Sequence, residues 1–378
     1  MIVGSIKEDL ALEKRVSITP ETAKNLIGLG LKVCIEKNYA SHLGIEDNEY
    51  EKNGVEIKES SSEVLNSSNL IIKVNCPSEN EISILKEKTI LVGMLNPSKN
   101  KNQIEKIVKK NIKTFSLELL PRITRAQSMD VLSSQSNLAG YRAVIDCVAE
   151  FEKAVPMMMT AAGTVPAAKV LVIGAGVAGL QAVATAKRLG AIVSATDVRA
   201  ASKEQVESLG GKFLTVEQAE DMETSGGYAK ETSDDYKKKQ AELLNERISV
   251  SDIVVTTALI PGRPAPILIN DEMVKSMKPG SVIMDLAAEN GGNCSLTKPD
   301  EHVNVNGVII DGTVNLAGTM SVHASQLYSK NVCAFLLHGY NKDKDNFNFD
   351  DEIVSGSMFT HKGEIVDERT KNSIKEVN

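Results

Sequence analysis

The chain has 378 residues, of which 42% are hydrophobic and 25% are charged, and it contains no tryptophan. This composition is typical of a water-soluble globular protein, and the length favours two domains over one. The formal net charge of −7 argues against a surface for nucleic acid or for anionic membranes. No apolar run approaches the roughly 20 residues that span a bilayer, and the N-terminus lacks a signal-peptide pattern, so we expect no direct membrane insertion.

The cysteines and histidines predict neither a metal site nor a disulfide framework. The chain has five of each, and they are scattered, without a C-x-x-C pair or any other ligand spacing. Thiols of this kind are typical of a reducing compartment. We therefore expect free thiols and no bound metal.

Strand and helix signals alternate over the first 120 residues. Thr19-Pro20-Glu21 offers a cap, a proline for the first turn and an acid nearby, and it predicts a helix that ends around Gly28 and Gly30. No glycine-rich turn follows the first strand, so we expect a doubly wound domain that binds no dinucleotide of its own. The predicted strands are Ile2 to Ile6, Lys32 to Ile35, Leu70 to Val74, Thr89 to Val92 and Lys113 to Leu117.

Polar side chains are concentrated just before a long predicted helix. The segment from Pro121 reads PRITRAQSMDVLSS, and a domain junction of this kind is where a ligand-binding cleft is expected. A solvated hinge would have the same composition, and this alternative stays open. Apolar residues at helical spacing then predict a helix from Ser134 to Ala154 that runs from one domain into the next. We expect Met157 to Met159, which follow it, to pack rather than to form a binding surface.

The most informative stretch reads KVLVIGAGVAGLQAVATAKRLGAIVSATDVR and begins at Lys169. A short apolar run ends at Gly174, as in a strand buried on both faces, and Gly176 and Gly179 complete the G-x-G-x-x-G spacing before a predicted helix. The first glycine permits a tight turn, the second lets a pyrophosphate approach the backbone, and the third allows close helix packing. The stretch therefore predicts a dinucleotide site with the diphosphate on the helix N-terminus.

A second predicted strand ends at Asp197, where an acidic side chain accepts hydrogen bonds from the adenosine ribose hydroxyls of a bound dinucleotide. This carboxylate would repel a 2′-phosphate, so we expect NAD(H) rather than NADP(H). Arg199 is the opposing observation, because a nearby arginine can accept a 2′-phosphate. A solvated strand end is the simpler interpretation of Asp197.

Residues 217–247 form an insertion between strands at the edge where the cofactor is expected. Its second half looks helical, whereas residues 221–232 are polar and centred on Gly226-Gly227-Tyr228. A glycine pair beside an aromatic residue suits a mobile loop that closes over a nucleotide. A surface insertion without function is the alternative.

The remaining segments complete the predicted fold class, an α/β protein with two doubly wound, Rossmann-like domains. Strands at 252–258, 281–286 and 307–310 complete a second parallel sheet, and a second long helix returns from about Ser321 to Tyr340. We expect a first domain of residues 1–133 plus 321–378 and a dinucleotide-binding domain of residues 134–320. The two long helices join them, and the tail adds a small β element to the first domain.

Several long motifs together resemble one family. They are RITRAQSMDVLSSQSNLAGYRAV from Arg122, VIGAGVAGLQAVATAKRLGA from Val172, SGGYAKE from Ser225, TALIPGRPAP from Thr257 and DLAAENGGNC from Asp285. They resemble the soluble NAD(H)-binding component of proton-translocating NAD(P) transhydrogenase, over essentially the full length of the chain.

The resemblance implies a homodimer in which each chain holds NAD(H) in the cleft between its two domains. Hydride would pass directly to or from NADP(H) on a separate partner subunit. A membrane-embedded proton-channel subunit would couple this step to proton movement. The chain ends after a short polar tail, so we expect a separate cytoplasmic subunit held at the inner membrane by its partners.

The resemblance also implies roles for individual residues. Its nicotinamide-binding loop corresponds to a set that would act in catalysis, with Gln127 also reaching the partner: Arg122, Gln127, Asp130 and Ser133. The same loop contributes Ser128 and Met129 to cofactor binding. Nucleotide contacts elsewhere correspond to Gly174, Gly176, Val177, Gly179, Asp197, Val198, Arg199 and Leu259, and the mobile loop to Gly227 and Tyr228.

Alanine dehydrogenase shares the fold and is the main alternative, since Arg15 and Lys73 correspond to its substrate-binding residues. Oxidation of an amine requires groups that move protons, and that family uses a histidine and an aspartate. Here the loop GMLNPSKN from Gly93 has no histidine, and the later position is Glu289. Hydride transfer between two nicotinamides needs positioning rather than proton transfer, so these departures favour transhydrogenation. A non-catalytic NAD sensor is a third hypothesis.

Overall fold

The computed structural model describes residues 1–97, 99–216, 234–260, 263–368 and 371. The chain divides into two compact units. The first comprises Met1–Gln135 and Gly318–Asn378, and the second comprises Ser136–Ala317.

The α-helices of the described residues are mostly short, apart from two of about five turns. They are α1 (Pro20–Gly28), α2 (Asp47–Glu51), α3 (Ser61–Ser67), α4 (Glu79–Ile84), α5 (Lys101–Lys109), α6 (Val131–Glu150), α7 (Val177–Arg188), α8 (Ser202–Ser208), α9 (Asp234–Ser249), α10 (Asp271–Ser276), α11 (Leu316–Thr319), α12 (Ser321–Gly339) and α13 (Glu352–Ser357). None of them combines the length and the apolar character that crossing a membrane requires.

The strands of the same residues are β1 (Ile2–Ser5), β2 (Lys32–Glu36), β3 (Glu56–Lys58), β4 (Leu70–Asn75), β5 (Ile90–Met94), β6 (Lys113–Ser116), β7 (Met158–Thr160), β8 (Gly163–Val165), β9 (Lys169–Ile173), β10 (Ile192–Thr196), β11 (Lys212–Phe213), β12 (Ile253–Thr256), β13 (Val282–Asp285), β14 (His302–Val305), β15 (Val308–Asp311), β16 (Tyr340–Asn341), β17 (Asn346–Phe347), β18 (Met358–His361) and β19 (Glu364–Ile365).

The sheet of the first unit has the strand order β19-β18-β6-β5-β4-β1-β2-β3. Its first six strands in sequence pair in parallel, in the 3-2-1-4-5-6 order of a doubly wound fold, and β18 and β19 join antiparallel from the tail. Alternate residues of β4 enter different cores, Ile72 on one face and Ile71 on the other. The α1 helix begins where predicted, with the Thr19 side chain accepting from the Thr22 N–H and Pro20 as its first residue.

The sheet of the second unit has the order β11-β10-β9-β12-β13-β15-β14, which again contains 3-2-1-4-5-6. The central strand β9 is covered on both faces, because Val170 and Val172 belong to one core while Leu171 and Ile173 belong to the other. The predicted α/β class with Rossmann-like parallel sheets is therefore confirmed.

In the second unit one strand was not predicted and one prediction was wrong. The predicted strands pair in parallel, but the sheet also contains β14, which forms an antiparallel hairpin with β15. Met157 to Met159 do not pack: they begin an exposed hairpin of β7 and β8, in which Met159 is 84% exposed. Apolar residues in a short two-stranded hairpin have no sheet to cover them, so composition alone was a poor guide to their burial.

Candidate functional site

The glycine-rich turn lies at the point of the second sheet where the strand order reverses, between β9 and β12. Gly174 follows β9 with a φ of +100°, a conformation that favours glycine. The Thr257 hydroxyl, after β12, donates to the Gly174 carbonyl at 2.9 Å. In open α/β sheets, ligands bind at this position beyond the carboxyl ends of the strands.

The other two glycines differ in what surrounds them. A Cβ on Gly179 would lie 1.8 Å from the Gly174 carbonyl oxygen, so the turn and the first turn of α7 pack too closely for any side chain. A Cβ on Gly176 would meet only the Arg199 guanidinium, at 3.7 Å. Packing explains Gly179, whereas at Gly176 the open space next to the helix N-terminus fits a diphosphate that approaches the backbone.

Asp197 follows β10 and is bonded to the turn. Its carboxylate accepts from the Ala175 N–H at 2.7 Å, and from the backbone N–H and the guanidinium of Arg199 at 2.7–2.9 Å. A carboxylate has about four acceptor positions, so a ribose hydroxyl at Asp197 would replace bonds to the Arg199 side chain. The structure therefore brings Asp197, Arg199 and the turn together and gives Asp197 a structural partner.

The other predicted nucleotide contacts of the second unit lie beside these residues. Val177, the first residue of α7, is 41% exposed, and Leu259, after β12, is 45% exposed, whereas Val198 is half-buried. Gly227 and Tyr228, with the loop 221–232, lie outside the described residues.

The predicted nicotinamide loop of the first unit borders a cavity of about 310 Å³ that Arg122, Gln127 and Asp130 help to line. Asp130 immediately precedes α6 and accepts from Ser133, from its N–H at 2.9 Å and from its hydroxyl at 2.5 Å. This pairing caps the helix N-terminus, so Asp130 and Ser133 have a structural role besides any binding role.

Ser128 and Met129, in the same loop, contact other parts of the first unit. The Ser128 carbonyl accepts from the Asn331 amide at 2.8 Å, and its side chain is exposed. The Met129 side chain is buried in the core of the unit, which leaves only its backbone for a ligand.

The sequence did not predict Glu118, which also lines this cavity. Its Oε1 accepts from the Asn96 N–H at 2.6 Å, and its Oε2 is buried without a hydrogen-bond partner in the described part of the chain. Burial raises the pKa of Glu118, although backbone hydrogen bonds oppose the shift. The only sequence signal was its position directly after a predicted strand, Lys113 to Leu117.

Arg15 and Lys73 lie in a buried cluster of the first unit. The Arg15 guanidinium donates two hydrogen bonds to Glu13, at 2.6 and 2.8 Å. The Lys73 ammonium lies 3.2 Å from the Glu8 carboxylate and 3.1 Å from that of Glu81. Burial alone would lower the pKa of Lys73, but the charges of Glu8 and Glu81 outweigh it and raise the pKa. Both cations are therefore paired with carboxylates of this chain.

Two residues of the DLAAENGGNC motif hold the loop after β12, which the sequence did not predict. The fully buried Asp285 accepts from the backbone of Asn293 at 2.7 Å and from the Thr256 hydroxyl at 3.0 Å. The Asn293 side chain in turn bonds the backbone N–H and carbonyl of Ala258, at 3.0 and 2.9 Å. These contacts fix the backbone beside the glycine-rich turn.

Comparison with known proteins gives two family matches. Residues 4–139 match the alanine dehydrogenase/PNT N-terminal domain, and residues 143–368 match the C-terminal domain. The chain is 50% identical to the first portion of NAD(P) transhydrogenase subunit alpha of Rhodospirillum rubrum, over 97% of this chain and 98% of the relative. It is 29% identical to an alanine dehydrogenase of Methanococcus maripaludis, over 90% and 88% of the two chains.

Solved structures agree with these matches. A transhydrogenase from Sinorhizobium meliloti superposes with a TM-score of 0.88 at 48% identity, covering 97% of this chain and all of that one. An L-alanine dehydrogenase gives 0.83 at 21% identity with full coverage of both chains, a likeness of fold alone. The chain therefore belongs to the alanine dehydrogenase/PNT family and, within it, to the alpha subunits of NAD(P) transhydrogenase.

Proposed function

We propose that this chain is the NAD(H)-binding subunit of a proton-translocating NAD(P) transhydrogenase. Hydride would pass directly between NAD(H) held here and NADP(H) on a partner subunit. The observation that carries the proposal is the turn at Gly174, Gly176 and Gly179, with its open approach at Gly176 and Asp197 beside it. The family and the fold support NAD(H) binding.

The residues of the second unit would bind the nucleotide. The first N–H groups of α7 have no partners within their own helix, and a helix N-terminus favours an anion, which suits a diphosphate at Gly176 and Val177. Asp197 and Arg199, with Val198 between them, would contact the adenosine ribose, and Leu259 would cover one side of the nucleotide. Gly227 and Tyr228 complete the proposed set.

The loop of the first unit would orient the nicotinamide. When bound, NAD(H) supplies or accepts the hydride. Arg122 and Gln127 present exposed polar groups at the cavity, and the bond from Ser133 holds the Asp130 carboxylate in place. Hydride transfer between two nicotinamides requires alignment and no proton transfer at the reacting carbons, so these side chains would position rather than act as acid or base.

The same family membership supports a proposal for the assembly. The chain would form a homodimer, bind an NADP(H)-carrying subunit and a membrane-embedded proton-channel subunit, and lie at the cytoplasmic side of the inner membrane. The domains would be residues 1–133 plus 321–378 and residues 134–320.

The alternative is an amino-acid oxidoreductase like alanine dehydrogenase. The specific observation in its favour is the buried pair of cations, Arg15 and Lys73. Against it, both are bonded to carboxylates of the chain, and the segment from Gly93 offers no histidine for proton transfer.

The proposal is tested by two measurements on the purified full chain. NADH fluorescence titration should show saturable binding, which Asp197→Ala weakens because both the ribose contact and the bond to Ala175 are lost. Hydride exchange between NADH and NADP⁺ should require added NADP-binding partner. Alanine with NAD⁺ is the control: pyruvate formation would establish the alternative, and NADH binding without exchange would indicate a sensor.

A further inference from the structure

Three side chains with metal-binding groups meet beside the β14 edge of the second unit's sheet. They are Glu150 in the last turn of α6, His302 at the start of β14 and Asp311 at the end of β15. His302 and Asp311 are direct cross-strand partners in the β14–β15 hairpin, so the backbone holds both on one face. One donor atom from each residue lies within 4.8 Å of the other two.

The geometry of the three groups is fixed by further contacts. Asp311 is 1% exposed, and its Oδ1 accepts from the Thr313 N–H at 2.8 Å and hydroxyl at 2.6 Å. The His302 Nδ1 lies 2.5 Å from a Glu150 oxygen, and its Nε2 lies 3.5 Å from Asp311 Oδ1. Thr313 therefore orients the Asp311 carboxylate. In metal sites, hydrogen-bond partners behind the ligands have this role.

One carboxylate oxygen in this group is unpaired. Glu150 Oε2 is buried and has no hydrogen-bond partner within the described ranges. A buried acceptor without a donor is costly, and a second carboxylate nearby adds to the negative charge. A cation between the three side chains would satisfy the oxygen and neutralise both acids.

We propose that Glu150, His302 and Asp311 bind one divalent transition-metal ion. One imidazole nitrogen with two carboxylate oxygens is a ligand set that Zn²⁺ accepts, and a water would complete four-coordination. Ligands around Zn²⁺ lie about 3.4 Å apart, so the present separations require shifts of about an ångström. The His302 side chain is 52% exposed, which gives an ion a path from solvent.

The simpler interpretation is a hydrogen-bonded ion pair, with a protonated His302 between two carboxylates. The two interpretations differ in their response to added metal. Only a metal site predicts that the chain binds one equivalent of the ion and that replacing His302 or Asp311 weakens this binding.

The test is a Zn²⁺ titration of the chelator-treated full chain against a competing chromophoric chelator. We expect one equivalent to bind, and His302→Gln and Asp311→Asn each to weaken binding by about tenfold or more. His323→Gln is the matched control, because His323 is an exposed histidine on α12. Circular dichroism checks that each variant is folded.

Absence of one-equivalent binding would overturn the proposal, as would wild-type affinity in folded His302→Gln. Glu150→Gln gives a second check. The amide carries no charge and is a weaker Zn²⁺ ligand than the carboxylate, so this variant should also bind the ion more weakly. NADH binding is measured in the same samples and should be unchanged, so failure here is distinguishable from failure of the proposed function.

Discussion

Asp351 shows how one carboxylate can hold several parts of the first unit together. It caps α13 by accepting from the N–H groups of Ile353 and Val354, and it lies 3.0 Å from the His338 ring at the end of α12. Burial alone would raise the pKa of Asp351, but the hydrogen bonds from His338 and the α13 backbone outweigh it and lower the pKa. A lowered pKa means that the ionised Asp351 carboxylate stabilises the folded state more than the protonated carboxyl does.

Replacing Asp351 with alanine should therefore destabilise the protein at neutral pH. Loss of an N-cap costs about 1 kcal/mol, which corresponds to a fall in Tm of about 2–4 °C for a domain of this size. The stabilisation is present above the ordinary aspartate pKa of about 4 and disappears as the pH falls through the lower folded value. Thermal unfolding of wild type and variant from pH 3 to 8 measures the difference.

Asp350→Ala is the matched control, because this neighbouring aspartate is exposed. It should leave Tm nearly unchanged across the same range. An Asp351→Ala deficit that is constant down to pH 3 would refute the role of the ionised carboxylate and leave only a packing effect.

At the scale of elements, the glycine-rich turn before α7 contains two glycines that are present for different reasons. Gly179 has no room for a side chain, whereas Gly176 has room in the folded chain. The same motif therefore contains one glycine that the fold needs and one that only close approach of a ligand would need.

The pair Gly176→Ala and Gly179→Ala tests this distinction. Gly176→Ala should keep the wild-type Tm and lose about tenfold or more in NADH affinity. The added methyl group would keep the charged diphosphate from hydrogen-bonding the backbone N–H groups of the turn. Gly179→Ala should lower Tm, since its Cβ would overlap the Gly174 carbonyl. Gly28→Ala is the control, with no atom within 4 Å of its added Cβ. Normal NADH affinity in Gly176→Ala would argue against diphosphate binding at this turn.

Elements with a strong local pattern were predictable from the sequence. The β9–α7 unit combines an apolar run with spaced glycines, and the α1 helix begins with Thr19 and Pro20, so local chemistry defines both. The β14 strand was missed because its side chains alternate between partial exposure and solvent at a sheet edge. Within the described ranges, the Met158–Thr160 strand pairs with the adjacent β8 and no other strand, so its apolar residues carried no information about burial.

At the scale of the whole molecule, the parts of the candidate site differ in how far apart they lie in sequence. The glycine-rich turn is contiguous, and a pattern predicts it. The positions of Glu118 and of the group of Glu150, His302 and Asp311 depend on which strands and helices pack together. Spacing along the sequence does not predict that packing. The two units also share one strand order, yet only the second has a glycine-rich turn after its first sheet strand, so sequence at a single turn distinguishes their proposed roles.

The proposed function makes a prediction for Gln127, which is exposed and lines the cavity of the first unit. Gln127→Asn keeps the amide but shortens the side chain by one methylene, a displacement of about 1 Å that can cost about 100-fold in a transfer that depends on alignment. NADH affinity should change little, because the second unit would supply most of the binding. Stopped-flow hydride transfer with the NADP-binding partner and NADH fluorescence titration measure the two effects separately. Gln205→Asn, on the exposed side of α8, is the control for a shortened glutamine elsewhere. Equal losses of rate and affinity would assign Gln127 to binding, and a normal transfer rate would remove it from the proposed site.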